Sequence, residues 1–189
     1  MMSKIIRVIT LVEEKRTGKL KGRTVADGRK QRLYIHEKDA TSPTVSLESL
    51  LITSVIDAYE GRTVYTADIS GVFLHSNMDE TVILLFEREQ VDLILQLDPE
   101  YKKYFHTDGR GNRRIYVKLC KAMYGCMRAA ILFWKNTSSY LCDELGFILN
   151  EYDMCVANKV INGKQCTICW ESQIPYLDCT GSKKCTFVG

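Results

Sequence analysis

Asp68 ends the extended run Val64-Tyr65-Thr66-Ala67, shortly before Gly71 and Phe73. A carboxylate at a strand end offers the hard oxygens that hold magnesium, provided further oxygen ligands converge on the same ion. It reads equally as a polar strand end facing water, and one aspartate does not choose between the two. A second group of candidates is cationic. Lys15, Arg16, Lys19, Lys21, Arg23, Arg29, Lys30 and Arg32 fall in one short region whose only acidic residue is Asp27. Such a region can track a phosphate backbone through charge and counterion release, or form ordinary solvated surface.

The remaining chemistry-bearing residues point less far. Of the 8 cysteines, Cys166, Cys169, Cys179 and Cys185 lie near the end of the chain. The gap between Cys166 and Cys169 is one that zinc sites use, with the other two available as further ligands. A zinc knuckle, however, needs a turn between its paired thiolates. Thr167 and Ile168 favour extended structure, which sends the two thiols to opposite faces of a strand. Cys120, Cys126, Cys142 and Cys155 read as small buried hydrophobes. His36, His75 and His106 have no ligand spacing and read as surface or local hydrogen-bonding residues.

The elements that position these residues are legible from period and punctuation. The 189 residues, 46% hydrophobic and 26% charged with 3 prolines, describe a globular chain rather than a disordered one. The net charge of +3 is too small to imply nucleic acid by itself. No apolar run approaches the length that crosses a bilayer, and MMSKIIRVITLVEEK acquires charge too soon for a signal peptide. The expectation is an intracellular protein, cytoplasmic or nuclear.

Ile5 to Val12 and Leu33 to Ile35 are strand candidates. Leu47, Leu50, Leu51, Val55 and Tyr59 recur at helical spacing, with Ser46 as N-cap and Gly61 as the stop. Residues 63–69 then alternate, so that Val64, Thr66 and Asp68 share one face. Val72-Phe73-Leu74 suggests a turn or short helix. Thr81 to Phe86, Val91 to Leu97 and Arg114 to Leu119 read as strands, with a turn at Asp108-Gly109-Arg110-Gly111. Lys121 to Leu145 is the longest helical stretch, and Gly125 near its start either weakens the first turn or marks a close backbone approach. Met154 to Val160 and Gln165 to Trp170 flank Asn162-Gly163, a hairpin signal. The order predicts an α+β fold, with helices on one face of a mostly antiparallel sheet.

Several short segments, in this order, resemble the reverse transcriptase domain of Ty1/copia-type retrotransposons. Lys21-Gly22-Arg23-Thr24-Val25-Ala26-Asp27-Gly28 is similar to the basic fingers segment of that family. Thr66-Ala67-Asp68-Ile69-Ser70-Gly71-Val72-Phe73-Leu74 resembles its first catalytic segment. Val117-Lys118-Leu119-Cys120-Lys121-Ala122-Met123-Tyr124-Gly125 with Phe133-Trp134, then Leu145-Gly146-Phe147 and Tyr152-Asp153-Met154-Cys155, follow its later motifs. The resemblance implies a partial right-hand polymerase over 1–170, comprising fingers and the first part of the palm, followed by an irregular, non-homologous tail over 171–189. It implies RNA or DNA template-primer and a deoxynucleoside triphosphate as partners, with magnesium as cofactor. It makes Asp68 the first metal-binding catalytic aspartate and Ile69 a backbone neighbour of the metal site. Phe73 becomes the aromatic beneath the sugar, Lys21 and Arg23 reach the phosphates, and Tyr124 and Gly125 line the nucleotide pocket.

The pattern then breaks. Gln165-Cys166-Thr167-Ile168-Cys169-Trp170 leads toward the position of the family's Tyr-Val-Asp-Asp, but Glu171-Ser172-Gln173 follows. Two-metal phosphoryl transfer needs more than one well-placed carboxylate. The expectation is therefore a polymerase-derived chain that is inactive or nearly so, with the strand around Lys164 to Trp170 left as an exposed edge. A nucleic-acid-binding remnant and an inert structural protein are the alternatives. Tyr176-Leu177-Asp178-Cys179 is a chance echo of the missing motif unless Asp178 reaches Asp68.

Overall fold

The computed structural model describes residues 4–171 and 176–179. Its strands and helices run β1 (Ile5–Glu14), β2 (Leu20–Ala26), α1 (Glu37–Ala40), α2 (Leu47–Glu60), β3 (Thr63–Thr66), β4 (Ile83–Glu87), α3 (Glu89–Leu97), β5 (Phe105–Thr107), β6 (Arg113–Lys118), α4 (Ala129–Ser139), β7 (Ile148–Leu149), β8 (Val156–Ile161), β9 (Lys164–Cys169) and β10 (Tyr176–Cys179). Short 3-10 turns occupy Gly28–Leu33, Val72–His75 and Pro99–Tyr104. The composition is α+β, and the chain divides into two units. The first combines Met1–Ala40 with Phe73–Leu132, the second Thr41–Val72 with Phe133–Gly189.

In the first unit the sheet order is β2-β1-β4-β6-β5. All its pairings are antiparallel except β1 with β4, so this sheet is mixed. Ile6, Val8, Leu84, Leu85, Val91 and Ile115 are buried in its core. Val91 to Leu97, expected as a strand, is the body of α3. Strand alternation would send Val91, Leu93 and Leu97 to one face, yet Val91 is buried while Leu93 and Leu97 are exposed, and helical spacing accounts for that split. Leu33 to Ile35 is not a strand either. Asp27 caps a 3-10 turn over Gly28–Leu33 by accepting from the Arg29 N–H at 3.3 Å, and the Ile35 N–H returns to the Gln31 carbonyl at 2.8 Å. The turn after β5 forms as expected, with Asp108 Oδ1 accepting from the backbones of Arg110 and Asn112 at 2.9 Å each.

In the second unit the sheet order is β3-β10-β9-β8-β7, antiparallel throughout. Asn162 at φ 52° and Gly163 at φ 76° make the tight left-handed turn between β8 and β9. Cys166, Thr167, Ile168 and Cys169 are all buried, so both faces of β9 are covered. The edge expected there does not exist, because β9 pairs with β8 on one side and β10 on the other. The extended Cys166 to Cys169 geometry agrees with the argument against a zinc knuckle.

Helix α2 begins and ends where its caps dictate. The Ser46 hydroxyl accepts from the Ser49 N–H at 3.0 Å, and Gly61 adopts φ 62° at the other end. Most of its apolar stripe is nevertheless solvent-facing: Leu47, Leu51, Val55 and Tyr59 are exposed and Leu50 is half-buried, whereas Thr53 and Asp57 are buried. A polar tie sets this rotation. Asp57 meets Arg62 at 3.6 Å, and both side chains are almost fully withdrawn from water. Helix α4 starts at Ala129 rather than near Lys121, because Gly125 at φ 88° diverts the chain before it. It passes into a π-helical turn over Tyr140–Glu144, and Gly146 at φ 66° ends the segment. Cys126 and Cys155 are buried and Cys142 partly so, but Cys120 is exposed. Among the described residues no helix is long and apolar enough to cross a membrane.

Candidate functional site

The first unit brings most of the nucleotide-site candidates together. Residues of β2 pair with β1 in a register that sets Lys21 opposite Glu13 and Arg23 opposite Leu11. Alternation therefore puts both cations on one face of the hairpin, and both are exposed. At the end of β2 the Ala26 N–H donates to the Tyr124 carbonyl at 2.7 Å, and the Asp27 N–H donates to the Arg7 carbonyl at 2.8 Å. Two glycines permit this junction. A Cβ on Gly125 would sit 1.9 Å from the Ala26 oxygen, and one on Gly28 would sit 2.1 Å from the Gly125 oxygen. Of the two readings of Gly125, the close backbone approach is present, and only hydrogen fits at either Cα.

Tyr124 also meets Phe73, edge to face, with ring centroids 4.4 Å apart and planes at 65°. Phe73 comes from the 3-10 turn Val72–His75, is only 8% exposed and lies in the core, while Tyr124 is 45% exposed. Edge-to-face contact of this kind stabilises the pair beyond simple burial.

Asp68 and Ile69 belong to the second unit. Strand β3 ends at Thr66, so the alternation expected to carry Asp68 stops before it, and both residues are exposed. Strand β10 pairs Tyr176 with Thr66 and Asp178 with Val64. Asp178 is therefore registered against a residue four positions before Asp68 in the chain. Among the described residues no three His, Cys, Asp or Glu side chains group to hold a metal ion. Among the described residues, the donors around Asp68 do not fit a pair of magnesium ions, which need several converging oxygens. The buried cysteines do not offer themselves in exchange: burial pushes the Cys126 thiol up to about 11 and the Cys155 thiol up to about 12.

A family model described as reverse transcriptase (RNA-dependent DNA polymerase) matches residues 7–168. The chain belongs to this family. No curated protein and no solved structure matches it. The span that carries this reverse transcriptase match contains Lys21, Arg23, Asp68, Ile69, Phe73, Tyr124 and Gly125, and it ends within β9, before Trp170.

Two residues that hold this framework have no structural role in the sequence reading. Gln31 is fully buried, and its Oε1 accepts from the Met127 N–H at 2.9 Å, which ties the 3-10 turn after β2 to the turn after Gly125. Its one sequence signal is a neutral amide inside a run of cations, three residues after Gly28. In the second unit the buried Asp153 carboxylate accepts from the backbone N–H groups of Ser46 and Cys155 at 2.9 Å each. Burial raises its pKa, but these bonds and those from the Ser46 and Ser49 hydroxyls outweigh it and hold the carboxyl below its ordinary value. Asp153 was matched to a family motif without a role; here it fastens the loop before β8 to the N-terminus of α2.

Proposed function

We propose that the chain is the fingers and first palm segment of a Ty1/copia-type retrotransposon reverse transcriptase, spanning 1–170, with a non-homologous tail over 171–189. In this reading it retains a nucleotide-binding and template-binding surface but no longer carries out nucleotidyl transfer, or does so only marginally. Lys21 and Arg23 contact phosphates, Phe73, Tyr124 and Gly125 form the nucleotide pocket, and Asp68, beside the Ile69 backbone, is a catalytic ligand that has lost its partners. The observation that carries the proposal is the end of the family match at residue 168, followed by Glu171 and Ser172 where paired aspartates are expected. Loss of transition-state charge stabilisation removes a dominant part of such catalysis.

Primer extension on an RNA template with magnesium tests the proposal. The expected result is no incorporation above background. Robust incorporation that disappears in Asp68→Asn would show an intact catalytic centre and overturn it. Retained template binding is read separately. Affinity for single-stranded RNA is expected to fall steeply with salt, and the slope of log affinity against log salt to become shallower by about 0.7 for each of Lys21→Ala and Arg23→Ala that releases one phosphate contact.

A further inference from the structure

The geometry points to an anion site elsewhere in the first unit: a cleft at the turn into α3 that takes a phosphate oxyanion, with Arg7, Arg88, Arg113 and Arg114 as its donors. It shares no residue with the nucleotide site proposed above, so either can fail alone. Arg23 pairs opposite Leu11, four residues along β1 from Arg7 and about 13 Å away at strand rise.

Strand register brings these arginines together. Strand β1 runs parallel to β4 with Arg7 against Leu85, and Glu87 of β4 faces Arg114 of β6. Arg7, Glu87 and Arg114 therefore share one face of the sheet. Glu87 stands between the two cations, with Oε2 3.3 Å from Arg7 Nε and Oε1 3.5 Å from Arg114 Nε. Together with Arg88, Gln90 and Arg113 they line a cleft of about 660 Å³, a volume in the range of small-molecule sites.

The cleft has an excess of donors, and most of its acceptors are already engaged. Asp92 accepts from both Nη atoms of Arg113 at 2.5 and 2.6 Å. Asp108 meets Arg114 Nη2 at 2.9 Å and accepts from the backbones of Arg110 and Asn112. The Gln90 amide oxygen accepts from the Glu87 N–H at 3.3 Å, while its Nε2 donates to the Val8 carbonyl and the Thr10 hydroxyl. Four guanidinium groups carry about twenty N–H donors, far more than these acceptors use. Arg114 Nε is withdrawn from water yet makes no hydrogen bond among the described residues, and Arg88 has no carboxylate partner among them. Glu89, exposed next to Arg88, is the acidic group of the lining that opposes an anion. A ligand that brings negative charge and only oxygen acceptors completes this set, and the planar fork of arginine matches phosphate in two bonds at once.

The backbone at Arg88 fits the same reading. Its φ of 55° and ψ of −127° lie where residues other than glycine are uncommon. The bonds from Gln90 to Glu87 and to β1 lock that turn. Strain persists only where the surroundings impose it, and it gathers at ligand clamps. Here it sets the unpaired guanidinium in the wall of the cleft.

Isothermal titration of the full chain with inorganic tripolyphosphate, and separately with a short single-stranded RNA, tests the inference. Arg88→Gln is expected to weaken binding about tenfold, and Glu89→Gln to tighten it about threefold by removing a like charge. Lys102→Gln removes the same charge from outside the lining and should change affinity less than about twofold. Arg88→Gly should lose as much affinity as Arg88→Gln while its thermal midpoint holds or rises, because glycine tolerates the φ of 55°; this separates loss of the contact from loss of the fold. RNA that loses affinity in Arg88→Gln identifies backbone phosphates as the source of the oxyanion, and RNA that keeps its affinity while tripolyphosphate loses it identifies a free phosphate chain. Binding of neither probe overturns the inference, as does weakening by Arg88→Gln that Lys102→Gln reproduces.

Discussion

The two units hold their candidate residues in different ways. In the first, the segments that carry the candidate residues are set by backbone: Ala26 bonded to Tyr124, Gly125 against Ala26, Gly28 against Gly125, and a fully buried Gln31 closing the turn. In the second, Asp68 is an exposed residue beyond the end of β3, with no group of metal-binding side chains around it among the described residues. A backbone-built junction is damaged by adding an atom almost anywhere in it. A side-chain-built metal site is lost when its facing partners are replaced, and the strand that carried it still pairs. A family match can therefore rest on the backbone-built junction of the first unit whatever becomes of a side-chain-built site in the second.

The sharpest way to break the comparison is at Gly125. Gly125→Ala places a Cβ within 1.9 Å of the Ala26 oxygen at φ 88°, where both the clash and the left-handed backbone oppose it. A loss of about 4 kcal/mol or more is expected for the first unit. Gly111→Ala is the matched control, since Gly111 has φ 79° but no atom within 4 Å of an added Cβ; its cost should be about 1 kcal/mol, from backbone alone. Hydrogen exchange of the β1 and β2 amides reads the first unit directly. Equal and small effects of the two variants would show that the junction is not rigid and would remove the basis of the contrast.

The next effect lies in the second unit. Asp153→Ala leaves the N–H groups of Ser46 and Cys155 without their acceptor at a buried site, an expected loss of about 2 to 3 kcal/mol. A pH dependence accompanies it. The folded carboxyl titrates below its ordinary value of 3.8, so its contribution is complete above that value and is lost as pH falls through the lower folded pKa. Urea unfolding followed by tryptophan fluorescence isolates this unit, because both tryptophans, Trp134 and Trp170, belong to it. The wild-type chain should lose more stability on acidification than Asp153→Ala does. Parallel pH profiles for the two would sink the assignment.

Sequence made the punctuation of this fold visible and left its tertiary ties hidden. Ser46 and Gly61 bound α2, Asn162-Gly163 turns the β8 to β9 hairpin, and Gly125 marks a close approach, because each acts through local backbone geometry. Val91 to Leu97 failed as a strand because its apolar residues satisfy both periods over so short a run, and the choice fell to what Val91 packs against. The roles of Gln31 and Asp153 are hidden in the sequence because their partners lie 96 and 107 residues away along the chain. Of the candidate site, Lys21, Arg23, Phe73, Tyr124 and Gly125 are named by the family motifs alone. That Phe73 is buried and Tyr124 half-exposed is not legible there, since packing order is invisible to a motif.

The smallest expected effect tests the most misleading part of the sequence. The stripe Leu47, Leu51, Val55 and Tyr59 has the spacing of a core-facing helix, yet the side that packs carries Thr53 and the Asp57 to Arg62 ion pair. Periodicity reports that a helix has two unlike faces, and a buried polar tie can decide which of them turns inward. Were the stripe buried, Leu51→Ser would open a cavity and expose a hydroxyl to apolar surroundings, at a cost of about 3 kcal/mol. With Leu51 at 58% and Val55 at 69% exposure, Leu51→Ser and Val55→Ser should each change the urea midpoint by less than the equivalent of about 0.5 kcal/mol. Asp57→Leu, by contrast, leaves the withdrawn Arg62 charge without this partner and should destabilise the same unit by about 3 kcal/mol. A large loss from the two serine variants would mean that the apolar face is covered in solution, and the rotation of α2 set by Asp57 would then have to be abandoned.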